Sequence, residues 1–165
     1  MTIEGFDYKA FVQELSSQTD DFLPAYFYDF QKEYVKDTLL KISLYFGEAI
    51  YNYEKSNFSV IQAKIITQII AEWVFHKSID LIKSGIPYDY WDGILDSIAL
   101  SIFKLATQEI SRVMPSNNLL QIVEQVVNET YRSSLIELGA RNIIDKSILD
   151  RALNQSNIDD FMEQS

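Results

Sequence analysis

Apolar positions recur three and four residues apart along most of this 165-residue chain, the spacing of helices that bury one face. A short amphipathic opener covers 7–17, and the polar run 16–21 after it reads as a loop. Pro24 suits the first turn of a helix running to about Tyr53, because a missing N–H costs nothing there. Asn57 or Ser59 caps a second helix, whose Ile61, Ile65, Ile66, Ile69, Ile70, Trp73 and Val74 keep to one broad face. Gly85 is its left-handed stop, with Pro87 just beyond. A third helix starts near 87–89 and turns Trp91, Leu95, Ile98, Ile102, Leu105 and Ala106 to one side. It must end before Pro115, since proline disfavours helical backbone in its predecessor. Ser116 or Asn117 caps the fourth, in which Leu119, Val123, Val126, Tyr131, Leu135 and Leu138 lead to Gly139.

Strand signals are absent: β-branched residues fall at helical spacing, and no hairpin dipeptide separates alternating runs. Long helices joined by short connectors should run antiparallel, so the pattern predicts an all-α fold, an up-down-up-down four-helix bundle. Ile143, Ile144, Ile148, Leu149 and Leu153 predict a further short helix beyond it, capped by Asp145 or Ser147. The bundle domain then covers 1–153, and 154–165 is a separate tail.

That tail carries its own pattern. Asn157 is a good N-cap, and Asp159 and Asp160 sit in the first turn, where the helix dipole favours negative charge. Ile158, Phe161 and Met162 fall at i, i+3 and i+4 and form an apolar stripe on an acidic peptide. So short a helix is marginal alone and should order when the stripe enters a groove. A stripe folded back to seal the end of the bundle is the other reading.

Composition narrows the function. A formal charge of −10 excludes nucleic acid and anionic membrane surfaces as natural partners, and permits a basic one. Hydrophobic residues at 47% are too frequent for a disordered chain. There is no cysteine, hence no disulfide or thiolate chemistry, which fits a cytoplasmic protein. The first residues show neither a basic region nor an apolar run, so no signal peptide is expected. The most apolar stretch, Val60–Phe75, is interrupted by Gln62, Lys64, Gln68 and Glu72, as a buried helix would be and a membrane span would not.

Candidate chemistry is sparse. His76 follows Glu72 by one helical turn, but a metal needs three or four ligands, so a surface histidine explains the pair as well. Asp89, Asp92 and Asp96 could share a proton or hold a cation, yet carboxylates are ordinary at a helix start. Tyr26, Phe27, Tyr28, Phe30, Tyr34, Tyr45, Phe46, Tyr51 and Tyr53 crowd the first helix. Such a stripe can bind a ligand or form a dimer face but more often fills the core, and a face too wide for one bundle to cover would imply a homodimer. No phosphate loop, hydrolase elbow or zinc motif is present, and no resident cofactor or metal is expected.

Asn154, Gln155, Ile158, Asp159, Asp160, Phe161, Met162 and Glu163 resemble the C-terminal peptide of the chemotaxis phosphatase CheZ family, of the form Asn-Gln-x-x-Val-Asp-Asp-Leu-Leu-Asp. A related peptide occurs in the flagellar switch proteins. In CheZ this peptide docks on the phosphorylated response regulator CheY, so the resemblance implies a CheY-like receiver domain as partner and Ile158, Asp159, Asp160, Phe161 and Met162 as the binding residues. The family is all-helical and dimeric, and its catalytic glutamine orients a water in line with the receiver's aspartyl phosphate while the receiver supplies magnesium. Lys104-Leu-Ala-Thr-Gln108-Glu-Ile-Ser-Arg112 resembles that catalytic segment, which makes Gln108 the candidate catalytic residue. Lys104 stands where the family has an acidic residue. A non-enzymatic adaptor, chaperone or immunity-type protein that meets a basic partner with its acidic surface is the alternative.

Overall fold

A computed structural model describes residues 7–110, 112 and 119–154. Every regular element among them is helical: α1 (Tyr8–Ser17), α2 (Thr19–Phe22), α3 (Asp29–Glu54), α4 (Val60–Lys83), α5 (Trp91–Ser101), α6 (Thr107–Ile110), α7 (Leu119–Ala140) and α8 (146–154). A 3₁₀ turn (Tyr88–Tyr90) leads into α5, and a π-helical turn (Ile102–Ala106) joins α5 to α6 without interruption. No helix of the described residues is long and apolar enough to cross a membrane.

The helix ends follow local chemistry. Asp7 caps α1, its Oδ1 accepting the Ala10 N–H at 3.0 Å. Ser59 caps α4 reciprocally: its Oγ accepts the Gln62 N–H, and the Gln62 Oε1 accepts the Ser59 N–H, both at 3.1 Å. Gly85 closes α4 with φ +106°, a conformation that side chains with a Cβ rarely adopt. Asp145 caps α8, its Oδ1 accepting from Ile148 N–H at 2.9 Å and from Ser147 Oγ at 2.7 Å. Those bonds, the Ser147 hydroxyl first, hold its carboxyl below the usual range.

Four expectations need correction. Pro24 does not open α3, because its carbonyl closes a turn onto Phe27 N–H. Gln31 Oε1 then takes the Tyr28 N–H at 2.9 Å, and the helix begins only at Asp29. The polar run 16–21 is not a loop but contains α2, with Thr19 buried and Asp20 paired with Lys36 of α3 at 3.1 Å. Gly139 does not stop α7. Asn142 does, with φ 59° and the paired bonds Asn142 N–H to Gly139 C=O and Ile143 N–H to Leu138 C=O that define a Schellman ending. Gly139 instead gives room to α8, since a Cβ there would run into Leu149. Finally, Ile61, Ile65 and Leu105 are exposed, not inward. The first two lie in the early turns of α4, and Leu105 lies in the π turn.

The π turn has a legible cause. Buried residues recur every fourth position through this span, at Trp91, Leu95, Ala99, Phe103 and Thr107, and at Ile94, Ile98, Ile102, Ala106 and Ile110. In a regular α-helix a four-residue step drifts by about 40° around the axis, so a strict four-residue stripe would wind off the core. One widened turn takes back part of the drift. The segment packs there against both α4 and α7.

α4 is the centre of the molecule. α1, α3, α5, the π turn and α7 all pack on it, whereas α3 and α7 hardly meet among the described residues. It accordingly buries residues on more than one face, Ala63, Ile66, Ile70, Val74, Phe75, Ile79 and Leu81 among them. Even Lys77 is buried, its Nζ 4.8 Å from the Trp73 ring centre and 5.5 Å from that of Tyr131. α1 lies against α3 where Gly47 leaves space for the Tyr8 ring, whose hydroxyl donates to Ser43 C=O at 2.9 Å.

Candidate functional site

The residues of the tail stripe, Ile158, Asp159, Asp160, Phe161 and Met162, lie outside the described residues; of the tail, Asn154 is described, as a helical residue of α8. Gln108 is exposed on α6, and Lys104 is exposed in the π turn before it. The wide turn alters their relation, because positions four apart across a π segment no longer stack as they do on an α-helix.

The end of α7 and the start of α8 enclose an open groove of about 1060 Å³, floored by Ile136, Gly139 and Ile144 and walled by Ile86, Pro87 and Tyr90 from the α4–α5 connection. Ile148 and Leu149 of α8 form the remaining apolar wall, with Lys146 at the rim. α8 is thus anchored: Ile144, Ile148 and Ala152 are buried, and the Arg151 guanidinium reaches across to Gly85. Residues after Asn154 start from this anchored helix.

A second concavity of about 350 Å³ lies between α1 and α4, lined by Phe11, Glu14, Leu15, Gln18, Glu72 and His76. His76 is exposed and stands edge-on to Phe22 at 5.4 Å between ring centres. Burial pushes the Glu72 carboxyl up, with His76 pulling the other way and Glu124 adding to the rise. Glu72 and His76 as a pair fall short of the three or four ligands that a metal needs. Among the described residues, no group of three or more His, Asp or Glu is placed to hold a metal.

The aromatic residues before and along α3 divide between core and surface. Tyr51 is buried, Phe27, Tyr34 and Phe46 are half-buried, and Tyr26, Tyr28, Phe30, Tyr45 and Tyr53 are exposed. Several of these rings join others from the α4–α5 connection. Tyr28 stacks on Phe30 at 5.8 Å, Phe30 meets Tyr88 edge-on at 5.5 Å, and Tyr88 meets Tyr34 at 6.0 Å and Trp91 at 5.0 Å. Phe27 and then Tyr26 extend the chain of rings from Trp91. Trp91 anchors it, buried, with its Nε1–H on Ile86 C=O at 2.8 Å. The Tyr34 hydroxyl donates to Asp92 Oδ1 at 2.7 Å. Burial and then that carboxylate push the Tyr34 hydroxyl up to about 12. Asp96 is likewise raised, by burial and then by the charge of Asp92.

Core filling, the commonest fate of such a stripe, holds for Tyr51 and in part for Phe27, Tyr34 and Phe46, and not for the other rings. The missed signal is acidic: Asp29 lies between Tyr28 and Phe30, and Asp89 between Tyr88 and Tyr90, a poor neighbourhood for buried rings. Comparisons of the chain with known protein families, with characterised proteins and with solved structures find no significant match.

Proposed function

We propose that this chain is a helical regulatory protein that captures a CheY-like receiver domain through its C-terminal peptide. The observation behind the reading is where that peptide begins. α8 is pinned to the body by buried Ile148 and Ala152 and by the Asp145 cap, so the segment bearing Ile158, Phe161 and Met162 follows directly from a fixed helix. Fixing one end of a short amphipathic peptide lowers the ordering cost of docking it. Burying the Phe161 ring in a receiver groove supplies about 1.5–3 kcal/mol, and Ile158 a similar amount.

The four long helical spans, α3, α4, 91–110 and α7, form on this reading an antiparallel bundle that serves as scaffold, in the cytoplasm, with homodimerisation open to it. Hastening of receiver dephosphorylation rests on Gln108, whose amide is exposed and can orient a water toward an aspartyl phosphate while the receiver holds its own magnesium. Lys104 in place of an acidic residue makes capture the firmer part of the reading and catalysis the dependent part.

The test is a titration of the full chain against beryllofluoride-activated receiver domains from the same source. Phe161→Ala with Met162→Ala should weaken binding at least about tenfold, since each 1.4 kcal/mol is worth a factor of ten. Unchanged affinity in that variant removes the receiver reading. Given binding, phosphate release from the phosphorylated receiver should fall with Gln108→Ala, and an unaltered rate confines the protein to capture.

A further inference from the structure

The aromatic end of the molecule is exposed to a degree that solubility alone does not explain. Tyr26 is 73% exposed, Tyr28 69% and Phe30 59%, and they end the two arms of one ring-to-ring network, Tyr28 and Phe30 joined through Tyr88 to Trp91 and Tyr26 through Phe27 to the same Trp91. Burial of Trp91 and the half-burial of Phe27 and Tyr34 fix the network from behind, so the outer rings are held in place before any partner arrives.

The charge around the rings has one dominant sign. Residues 19–31 and 84–103 contain Asp20, Asp21, Asp29, Asp89, Asp92 and Asp96 and no Lys, Arg or His. Lys36, the cation facing this region from α3, is occupied by Asp20 at 3.1 Å. Lys32 borders the rings along α3, Lys41 offsets part of the charge at Asp96, and Lys146 and Arg151 come up beside Tyr90 and Gly85, with Asp145 and Asp150 lining the same groove as Lys146. Burial first, and the Asp92 carboxylate after it, raise both the Asp96 carboxyl and the Tyr34 hydroxyl.

We infer that the surface formed by Tyr26, Tyr28, Phe30 and Tyr88, with Asp29, Asp89 and Asp92 beside it, docks a cationic, arginine- or lysine-rich segment of a partner protein. Ring faces attract a guanidinium or ammonium through their quadrupole, and nearby carboxylates add direct charge and hydrogen-bond acceptors. The same carboxylates disfavour the other occupants of an aromatic face. A second copy would bring Asp29, Asp89 and Asp92 against themselves, and an anionic lipid or nucleic acid would be repelled. None of these residues belongs to the tail, so the inference does not rest on receiver binding.

The probe is a labelled Arg-Gly repeat peptide, with a Glu-Gly repeat as its charge-reversed control, titrated against the full chain at low salt. The Arg-Gly peptide should bind and the Glu-Gly peptide should not. Tyr28→Ala with Phe30→Ala should weaken binding about tenfold. Asp89→Asn with Asp92→Asn should do the same, while Glu14→Gln with Glu129→Gln, equal in charge but on α1 and α7, should leave it unchanged. The outer rings are mostly exposed, so both surface variants should keep the helical circular dichroism of the parent. Phe161→Ala with Met162→Ala should bind the peptide normally, which separates this result from the receiver titration. Failure of the Arg-Gly peptide to bind overturns the inference. So does equal weakening by the Glu14 and Glu129 pair, which would mean attraction to net charge alone. Loss of a dimer in the Tyr28 and Phe30 variant, with peptide affinity intact, would assign the surface to a second copy and overturn it too.

Discussion

Glu54, in the last turn of α3, has no accessible surface, and neither of its carboxylate oxygens has a hydrogen-bond partner. Burial raises its carboxyl from the ordinary 4.5 to about 7. A group whose folded value lies above its unfolded one holds its proton longer in the native state. Its contribution to stability is therefore complete below about pH 4.5 and is lost as the pH rises through about 7. Urea denaturation should show the protein on the order of 2 kcal/mol less stable at about pH 8 than at about pH 5 from this group. Glu54→Gln, which cannot ionise, should abolish that difference; persistence of the same slope in the variant would place its origin elsewhere. Nothing in the spacing of the sequence singles out Glu54. Its burial comes from elements distant in the chain, which no local pattern records.

At the level of the single helix, sequence and structure agree best where the chemistry is local. The Ser59–Gln62 box, the Asp145 cap and the left-handed Gly85 each involve residues no more than three or four apart, and each stands where the residue types place it. Ser59→Ala removes an acceptor from the exposed start of α4 and should cost about 1 kcal/mol, read as a lower denaturation midpoint with an unchanged denaturant slope. A null effect would mean that water serves the Gln62 N–H as well as Ser59 Oγ does. Agreement fails at Pro24 and Gly139 for a shared reason. Both residue types are compatible with more than one backbone role, and the Gln31 back-bond and the close approach of Leu149 decided between them.

The whole molecule is organised around α4, which every other long span touches. Local opening of α4 requires most of the core to separate, whereas α2 and the outer aromatic turns can open with little loss of contact. Amide hydrogen exchange should therefore be slowest in 66–82, the stretch of α4 where burial is nearly continuous, and fast in 19–28. Comparable protection in the two regions would contradict a core built on one central helix. By itself the sequence determined that the described chain is helical, where α1 begins and which residue ends α4, and it narrowed the start of α4 to Asn57 or Ser59 and that of α8 to Asp145 or Ser147, because those depend on side-chain spacing and on hydrogen bonds across one turn. Only the tertiary structure decided that α4 is enclosed, that the span 91–110 widens into a π turn, and that Tyr26, Tyr28, Phe30, Tyr45 and Tyr53 face outward while Tyr51 is buried. Those outcomes depend on which helix lies against which. An apolar residue type states that burial would be favourable, but a neighbouring element must be present to provide it.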